Sequence, residues 1–114
     1  MAYTVENYLQ KIDTNTGSNY TSIGYEKITV GNSISKLTIP TGANYAQLVL
    51  ETDTTGVVAR FLRNSSQAVT SSNGVPLTGT GASLDIANFT NLAGFQIILA
   101  QASTTYLHVE YFKQ

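Results

Sequence analysis

The chain has 114 residues, of which six are basic, seven are acidic and one is His, and it contains no Cys. Its length is that of a single domain, and a net charge of −1 excludes broad binding to a nucleic-acid backbone, which needs clustered cations. Charged residues make up 11% of the chain against about 25% in typical domains, and Ser, Thr and Asn replace them, which favours β-structure over helices.

The first segment, "MAYTVENYLQKID", has neither a basic leader nor an apolar run of signal-peptide type. No part of the chain has the roughly 18 consecutive apolar residues of a membrane span. We therefore expect a protein made in the cytoplasm that has no membrane partner. Val5, Tyr8, Leu9 and Ile12 follow the spacing of a one-sided helix, although a strand would also fit this segment. Residues 1–19 are predicted to form an N-terminal arm and loop, and residues 20–114 one β-sandwich domain.

From Tyr20 onward the pattern predicts strands. The first covers 20–30, and "GN" at 31–32 marks a turn. Leu37 and Ile39 predict a short strand that Pro40 ends. Two further strands are predicted over 45–51 and 57–63.

The second half begins with turn-rich residues 64–81, which predict a loop. Strands are predicted over 82–89, 94–102 and 104–113, and the last two are close enough to form an antiparallel hairpin. The whole pattern predicts an all-β fold: an antiparallel β-sandwich of seven to eight strands, jelly-roll-like or Greek key.

Residues 57–63 and 94–100 carry apolar side chains at successive positions, whereas a sandwich strand normally alternates apolar and polar. Either loops and the arm cover the extra residues, or an assembly partner does, because monomers rarely expose large apolar patches. We favour the partner and expect a homo-oligomer or a larger shell. The candidate interface residues are Val5, Tyr8, Leu9, Ile12, Val58, Arg60, Leu62, Arg63, Ile98, Tyr106 and Phe112.

Groups suited to catalysis or metal binding are scarce. His108 is flanked by apolar residues in a predicted strand, which indicates a strand surface residue. Glu51, Asp53 and Asp85 lack the regular acidic spacing of a calcium loop. "GTGAS" (79–83) lacks the Lys of a phosphate-binding loop. We predict no catalytic residue, no metal, no cofactor and no enzyme activity.

Several motifs occur in a fixed order along the chain: "LTIPTGANYAQLVLE" (37–51), "VARFLR" (58–63), "GVPLTGTG" (74–81), "FQIILA" (95–100) and "TYLHVEYFK" (105–113). This ordered set resembles small β-sandwich virion proteins of tailed bacteriophages. In place of that family's charged turn after the Arg-bearing strand, this chain has "NSSQAVTSSN" (64–73). The matching positions are Ile39, Pro40, Gly42, Ala43, Ala46, Glu51, Arg60, Gly74, Pro76, Leu77, Leu107, Val109 and Tyr111.

The resemblance implies a non-catalytic structural component of the virion, foremost a capsid decoration or head-associated protein, with head fibre, neck or tail positions as further options. Its partners would be other virion proteins, and its location the phage particle. The alternative is a carbohydrate- or receptor-binding β-sandwich module of a phage fibre or tail. That alternative predicts an exposed aromatic cluster, for which Tyr20, Tyr25, Tyr106 and Phe112 are candidates.

Overall fold

The computed structural model of the chain describes residues 20–51, 57–78, 81–101 and 104–114; the predicted arm, with Val5, Tyr8, Leu9 and Ile12, lies outside these residues. Within the described ranges, no helix is long and apolar enough to cross a membrane. The described elements are β1 (Thr21–Val30), β2 (Tyr45–Glu51), β3 (Val57–Leu62), β4 (Val75–Thr78), β5 (Ser83–Ala87), a six-residue helix α1 (Phe89–Gly94), β6 (Gln96–Leu99) and β7 (Thr105–Lys113).

The strands form two sheets, one with the order β1-β7-β2-β5 and the other with the order β4-β3-β6. Every neighbouring pair is antiparallel. The predicted all-β antiparallel sandwich is therefore confirmed.

The core lies between the two sheets and is filled by alternate residues of their inner faces. On β7, Leu107, Val109 and Tyr111 point inward, as the alternation predicts. Phe61 and Phe95 of the same core cluster stack on each other with ring centroids 5.9 Å apart. Burying a Leu, Val or Phe side chain of this kind stabilises a fold by about 1.5–3 kcal/mol. The two layers therefore supply most of the stability.

The predicted hairpin between 94–102 and 104–113 is wrong. β6 pairs with β3, whereas β7 pairs with β1 on one side and with β2 on the other. Since both edges of β7 are occupied, β6 has no place beside it, and the short connection leads from one sheet to the other. Proximity in sequence predicts pairing only when an edge is free to accept the neighbour.

The predicted short strand at Leu37 and Ile39 is also wrong, apart from a single bridge between Ser35 and Ile97. The segment instead crosses between the sheets, with Leu37 and Ile39 half-buried against the core. Its backbone bonds to side chains rather than to a strand: the Thr38 N–H donates to the Glu26 carboxylate at 2.9 Å.

The loop predicted over 64–81 is wrong at Val75–Thr78, which form β4 beside β3, whereas residues 64–74 fold back over the three-stranded sheet. The buried amide of Gln96 donates to the carbonyl oxygens of Asn64 and Gln67 at 2.8 and 2.7 Å, and its oxygen accepts from the Val69 N–H at 3.0 Å. Farther along the loop, the Arg60 guanidinium donates to the Ser71 and Gly74 carbonyl oxygens. A side-chain amide and a guanidinium thus replace the strand pairing that this loop lacks.

Candidate functional site

Polar and aromatic side chains alternate with core residues along β1, the end of β2 and β7. They form a surface that we call the outer face: Tyr25, Lys27, Glu51, Tyr106, His108 and Glu110. In the strand registers, Lys27 lies opposite His108, and Glu51 lies opposite Tyr106. Three neighbouring strands therefore contribute to one surface.

A hydrogen-bonded chain runs diagonally across these strands. The Tyr25 hydroxyl lies 2.6 Å from Nδ1 of His108, and Nε2 of His108 lies 2.5 Å from Oε1 of Glu51. Residues two positions from direct opposition are within reach of long side chains in an antiparallel sheet. The register therefore suffices to place the three groups in line.

The proton positions follow from the chemistry of the partners. A carboxylate only accepts, so Nε2 of His108 carries a proton and donates it to Glu51. In the neutral ring Nδ1 then accepts from the Tyr25 hydroxyl. The hydrogen bond from His108 holds the pKa of Glu51 below its usual value. Desolvation opposes this effect, and electrostatic attraction to His108 and Lys27 adds to it.

The two tyrosines of the outer face are held while their rings remain accessible. Tyr25 is 62% exposed and stacks on the His108 ring, and Tyr106 is 37% exposed with the Lys27 ammonium 4.4 Å from its ring centroid. Beside them, the Ser22 hydroxyl donates to Glu110 at 2.7 Å. The sheet backbone and these contacts already restrict the motion of both tyrosine side chains. Binding a partner therefore costs less side-chain entropy.

The neighbouring part of the same sheet surface is buried. Tyr45 and Phe112 are in ring contact at 5.8 Å, and Tyr20 packs on Tyr45 at 4.9 Å. Phe112 and Gln47 are almost fully inaccessible as well. Among the described strand residues of this sheet, the exposed aromatic side chains are therefore Tyr25 and Tyr106.

A second feature lies at the end of β3. An open groove of about 510 Å³ is lined on one side by residues 63–66 and on the other by Phe89, Thr90, Asn91 and Ala93, with Gly94 also in the lining. Gly94 joins the two walls, because a Cβ at this position would lie 2.7 Å from the Arg63 carbonyl oxygen. We call this feature the groove.

The predicted interface residues do not form one surface. Val58 and Phe112 are 0% and 4% exposed within the single chain, so both are corrected to buried positions. Arg60, Leu62 and Ile98 are half-buried on the three-stranded sheet, and Arg60 holds the 64–74 loop. Among the candidates in the described ranges, Arg63 in the groove and Tyr106 on the outer face are the exposed ones.

A bulge accounts for the burial of Val58, rather than the covering loop of the alternative explanation. The strand register shifts between Val57 and Ala59, and Val58 joins the core cluster. The sequence pattern could not show this, since a bulge changes which face a residue occupies without any signature in the residue types.

Two prominent site residues were missed or left unassigned. Phe89 ends the predicted strand 82–89, but in the structure it is the first residue of α1 and is 58% exposed. The signal that could have placed it is Asn88, whose side chain caps the helix by accepting from the Asn91 N–H at 3.1 Å. The role of Lys27 depends on its diagonal neighbour Tyr106 and so on a register that one sequence does not reveal.

The described residues contain no group of three or more His, Cys, Asp or Glu side chains placed to hold a metal ion. Glu51 is bonded to His108, Asp85 is half-buried on β5, and Asp53 lies outside the described residues. The arrangement on the outer face can orient protons and charges for recognition, and it presents them on an open sheet. Comparison with protein-family models, with curated proteins and with solved structures finds no match to this chain.

Proposed function

We propose that this chain is a non-catalytic structural component of a tailed-phage virion, foremost a capsid decoration or head-associated protein. The observation that carries the proposal is the outer face, where Tyr25 and Tyr106 are exposed yet held by His108 and Lys27. Rigid tyrosines are favoured at protein interfaces, because they bury a large area at a low cost in side-chain entropy. The partner is a neighbouring virion protein.

The residues that carry the resemblance support the proposal in a structural sense. Pro40 packs over Gly24 on β1, where a Cβ would lie 3.2 Å from the proline ring, and Arg60 anchors the 64–74 loop. Leu107 and Val109 are fully buried in the core. The motif order shared with the virion proteins thus coincides with positions that maintain the sandwich.

The expected docking mode changes in one respect. Docking was expected through apolar strand faces, but Val58 and Phe112 are buried within the chain. Tyr25 and Tyr106 of the outer face remain exposed. We therefore assign docking to the outer face, with an additional contribution from residues 1–19.

The test is incorporation into particles. Purified chain is added to particles that lack it, and the bound amount is measured by quantitative mass spectrometry after sedimentation. Replacing both Tyr25 and Tyr106 by Ala is expected to lower the bound amount by at least about tenfold, because buried interface tyrosines each contribute on the order of 1–2 kcal/mol. Val75→Ala, an exposed apolar change on the other sheet, is the matched control. Equal binding by the double variant, or no wild-type binding, would contradict the proposal.

The proposed homo-oligomer is tested separately. Light scattering at high protein concentration gives the mass in solution, and the Tyr25→Ala, Tyr106→Ala variant shows whether the outer face forms the contact. A wild-type mass of one chain at all concentrations would confine the outer face to contacts with other virion proteins.

A carbohydrate- or receptor-binding module is the second candidate function. The observation that favours it is the groove, in which the exposed ring of Phe89 lies on the wall opposite the one that Arg63 lines. Ligand binding by the isolated protein tests this second candidate function, whereas incorporation into particles tests the first.

A further inference from the structure

The groove has walls that the surrounding structure holds in place. Gly94 brings the end of α1 against the backbone of Arg63 and Asn64, and the Gln96 amide binds the Asn64 carbonyl oxygen at 2.8 Å. Its volume of about 510 Å³ lies within the range of about 300–1,000 Å³ of small-molecule sites. A ligand would therefore meet a preformed surface.

The charge of the groove has one sign. Arg63 is the charged residue among those that line it, and no acidic side chain is part of the lining. Its guanidinium carbon lies 5.1 Å from the centroid of the Phe61 ring. The guanidinium has no hydrogen bond or ion pair to any residue of the described ranges. Stacking on a ring leaves the N–H edge able to bind a carboxylate with two parallel hydrogen bonds.

The other wall offers an aromatic surface. Phe89 is the first residue of α1 and is 58% exposed, so that more than half of its side chain is accessible to a ligand. An aromatic face attracts C–H groups. A suitable ligand is therefore a ring with C–H groups on one face and polar groups at its edge. Sugars of the pyranose class have this combination.

Polar groups able to bind hydroxyls also line the groove. Ser65 and Thr90 line the groove, and their hydroxyls have no partner within the described part of the chain. Asn91 also lines it, with its amide nitrogen donating to the Ala87 carbonyl at 3.0 Å. The groove thus combines a cation, an aromatic ring and neutral hydroxyl and amide groups.

We propose that the groove binds a pyranose that carries a carboxylate, with Arg63 on the carboxylate and Phe89 against the sugar ring. The proposal rests on the second candidate function and names its ligand class. A chain can bind such a sugar and still serve in a particle, so particle incorporation and sugar binding succeed or fail independently.

The test is a titration followed by two-dimensional NMR of the 15N-labelled protein at pH 7. The probes are D-glucuronate, D-glucose and acetate, which separate the carboxylate from the ring. Glucuronate is expected to shift amide signals of residues 63–66 and 89–94, with at least about tenfold higher affinity than either other probe.

The variants assign the two contacts. Arg63→Gln and Phe89→Ala are each expected to weaken glucuronate binding by about tenfold or more, while Phe89→Tyr retains it because the ring remains. Ile34→Ala and Lys36→Ala remove an exposed apolar side chain and another exposed cation elsewhere and should bind as the wild type does. Arg63 and Phe89 are exposed, so replacing either is expected to leave the fold intact. Amide signals outside the groove that match those of the wild type establish this.

Four results would overturn the proposal: no binding of glucuronate, equal affinity for glucose, equal affinity for acetate, or wild-type affinity in both Arg63→Gln and Phe89→Ala. Equal affinity for glucose would mean that the carboxylate is not recognised, and equal affinity for acetate would mean that the sugar ring is not recognised. The last places the ligand elsewhere on the molecule.

Discussion

His108 and Glu51 form a charge-assisted pair on an open sheet surface, and their effect on stability depends on pH. Because the pKa of Glu51 is lowered in the folded chain, its contribution is complete above the unfolded carboxyl pKa of about 4.3 and is lost as the pH falls through the folded value. Glu51→Gln is therefore expected to flatten the fall in unfolding free energy below about pH 5. Urea denaturation between pH 3 and 7 measures it.

The control for this prediction is His108→Leu, which removes the donor. The double variant should lose no more acid dependence than either single variant, because both remove the same interaction. Additive losses would show that the two groups act separately.

Tyr111 gives the opposite pH dependence. The pKa of Tyr111 is raised, mainly by burial and to a smaller extent by the hydrogen bond that its hydroxyl donates to the Glu26 carboxylate. Its contribution is complete below the unfolded pKa of about 10 and is lost as the pH rises further, since only the unfolded chain ionises there.

Tyr111→Phe should therefore cost about 1.5–3 kcal/mol at pH 7, through the lost hydrogen bond to a charged group. The stability difference from the wild type should narrow above about pH 10. Chemical denaturation from pH 7 to 11 measures both values. A difference that is constant over this range would contradict the role of the phenol.

At the scale of elements, α1 depends on one close approach of backbone to backbone. A Cβ on Gly94 would lie 2.7 Å from the Arg63 carbonyl oxygen and 2.9 Å from the Asn64 Cα, and neither atom can move without shifting the loop. Gly94→Ala is expected to cost about 1–3 kcal/mol in unfolding free energy, as overpacking does.

Gly31→Ala is the matched control, since a Cβ there would meet nothing within 4 Å. Its effect should stay within about 0.5 kcal/mol. Thermal and urea unfolding of both variants give the comparison. Equal stability of the two variants would mean that the wall of the groove is not rigid.

Some of these elements could be predicted from the sequence, and others could not. Alternation along 45–51 and 104–113 gave the strands and the inward residues Leu107 and Val109, because an amphipathic strand carries its face in its residue order. The pairing of β6 and the bulge at Val58 depend on which edges are already occupied. Those contacts are set by the assembled sheet, so local patterns do not contain them.

The residues of the candidate site, too, could be predicted only in part. His108 was predicted to be a strand surface residue and lies on the outer face, whereas its partners Tyr25 and Glu51 come from strands distant in the chain. The groove joins the end of β3 to α1. The residue types were visible in the sequence, but their proximity was not.

At the scale of the whole molecule, the members of the described core cluster all lie between Val30 and Tyr111. A chain that begins at residue 20 is therefore expected to fold, with a cooperative unfolding transition and a dispersed NMR spectrum. Circular dichroism and NMR of this fragment check the expectation. A fragment without a cooperative transition would assign residues 1–19 to the domain itself.

The position of β7 inside its sheet has a consequence for biosynthesis. β1 is completed early, but its partner residues run from Thr105 to Lys113. At roughly 5–20 residues per second, the ribosome needs on the order of 5–20 s to synthesise the intervening chain. During that time β1 and β2 both lack their shared neighbour, so their inward apolar side chains stay uncovered on that side until β7 has left the ribosome.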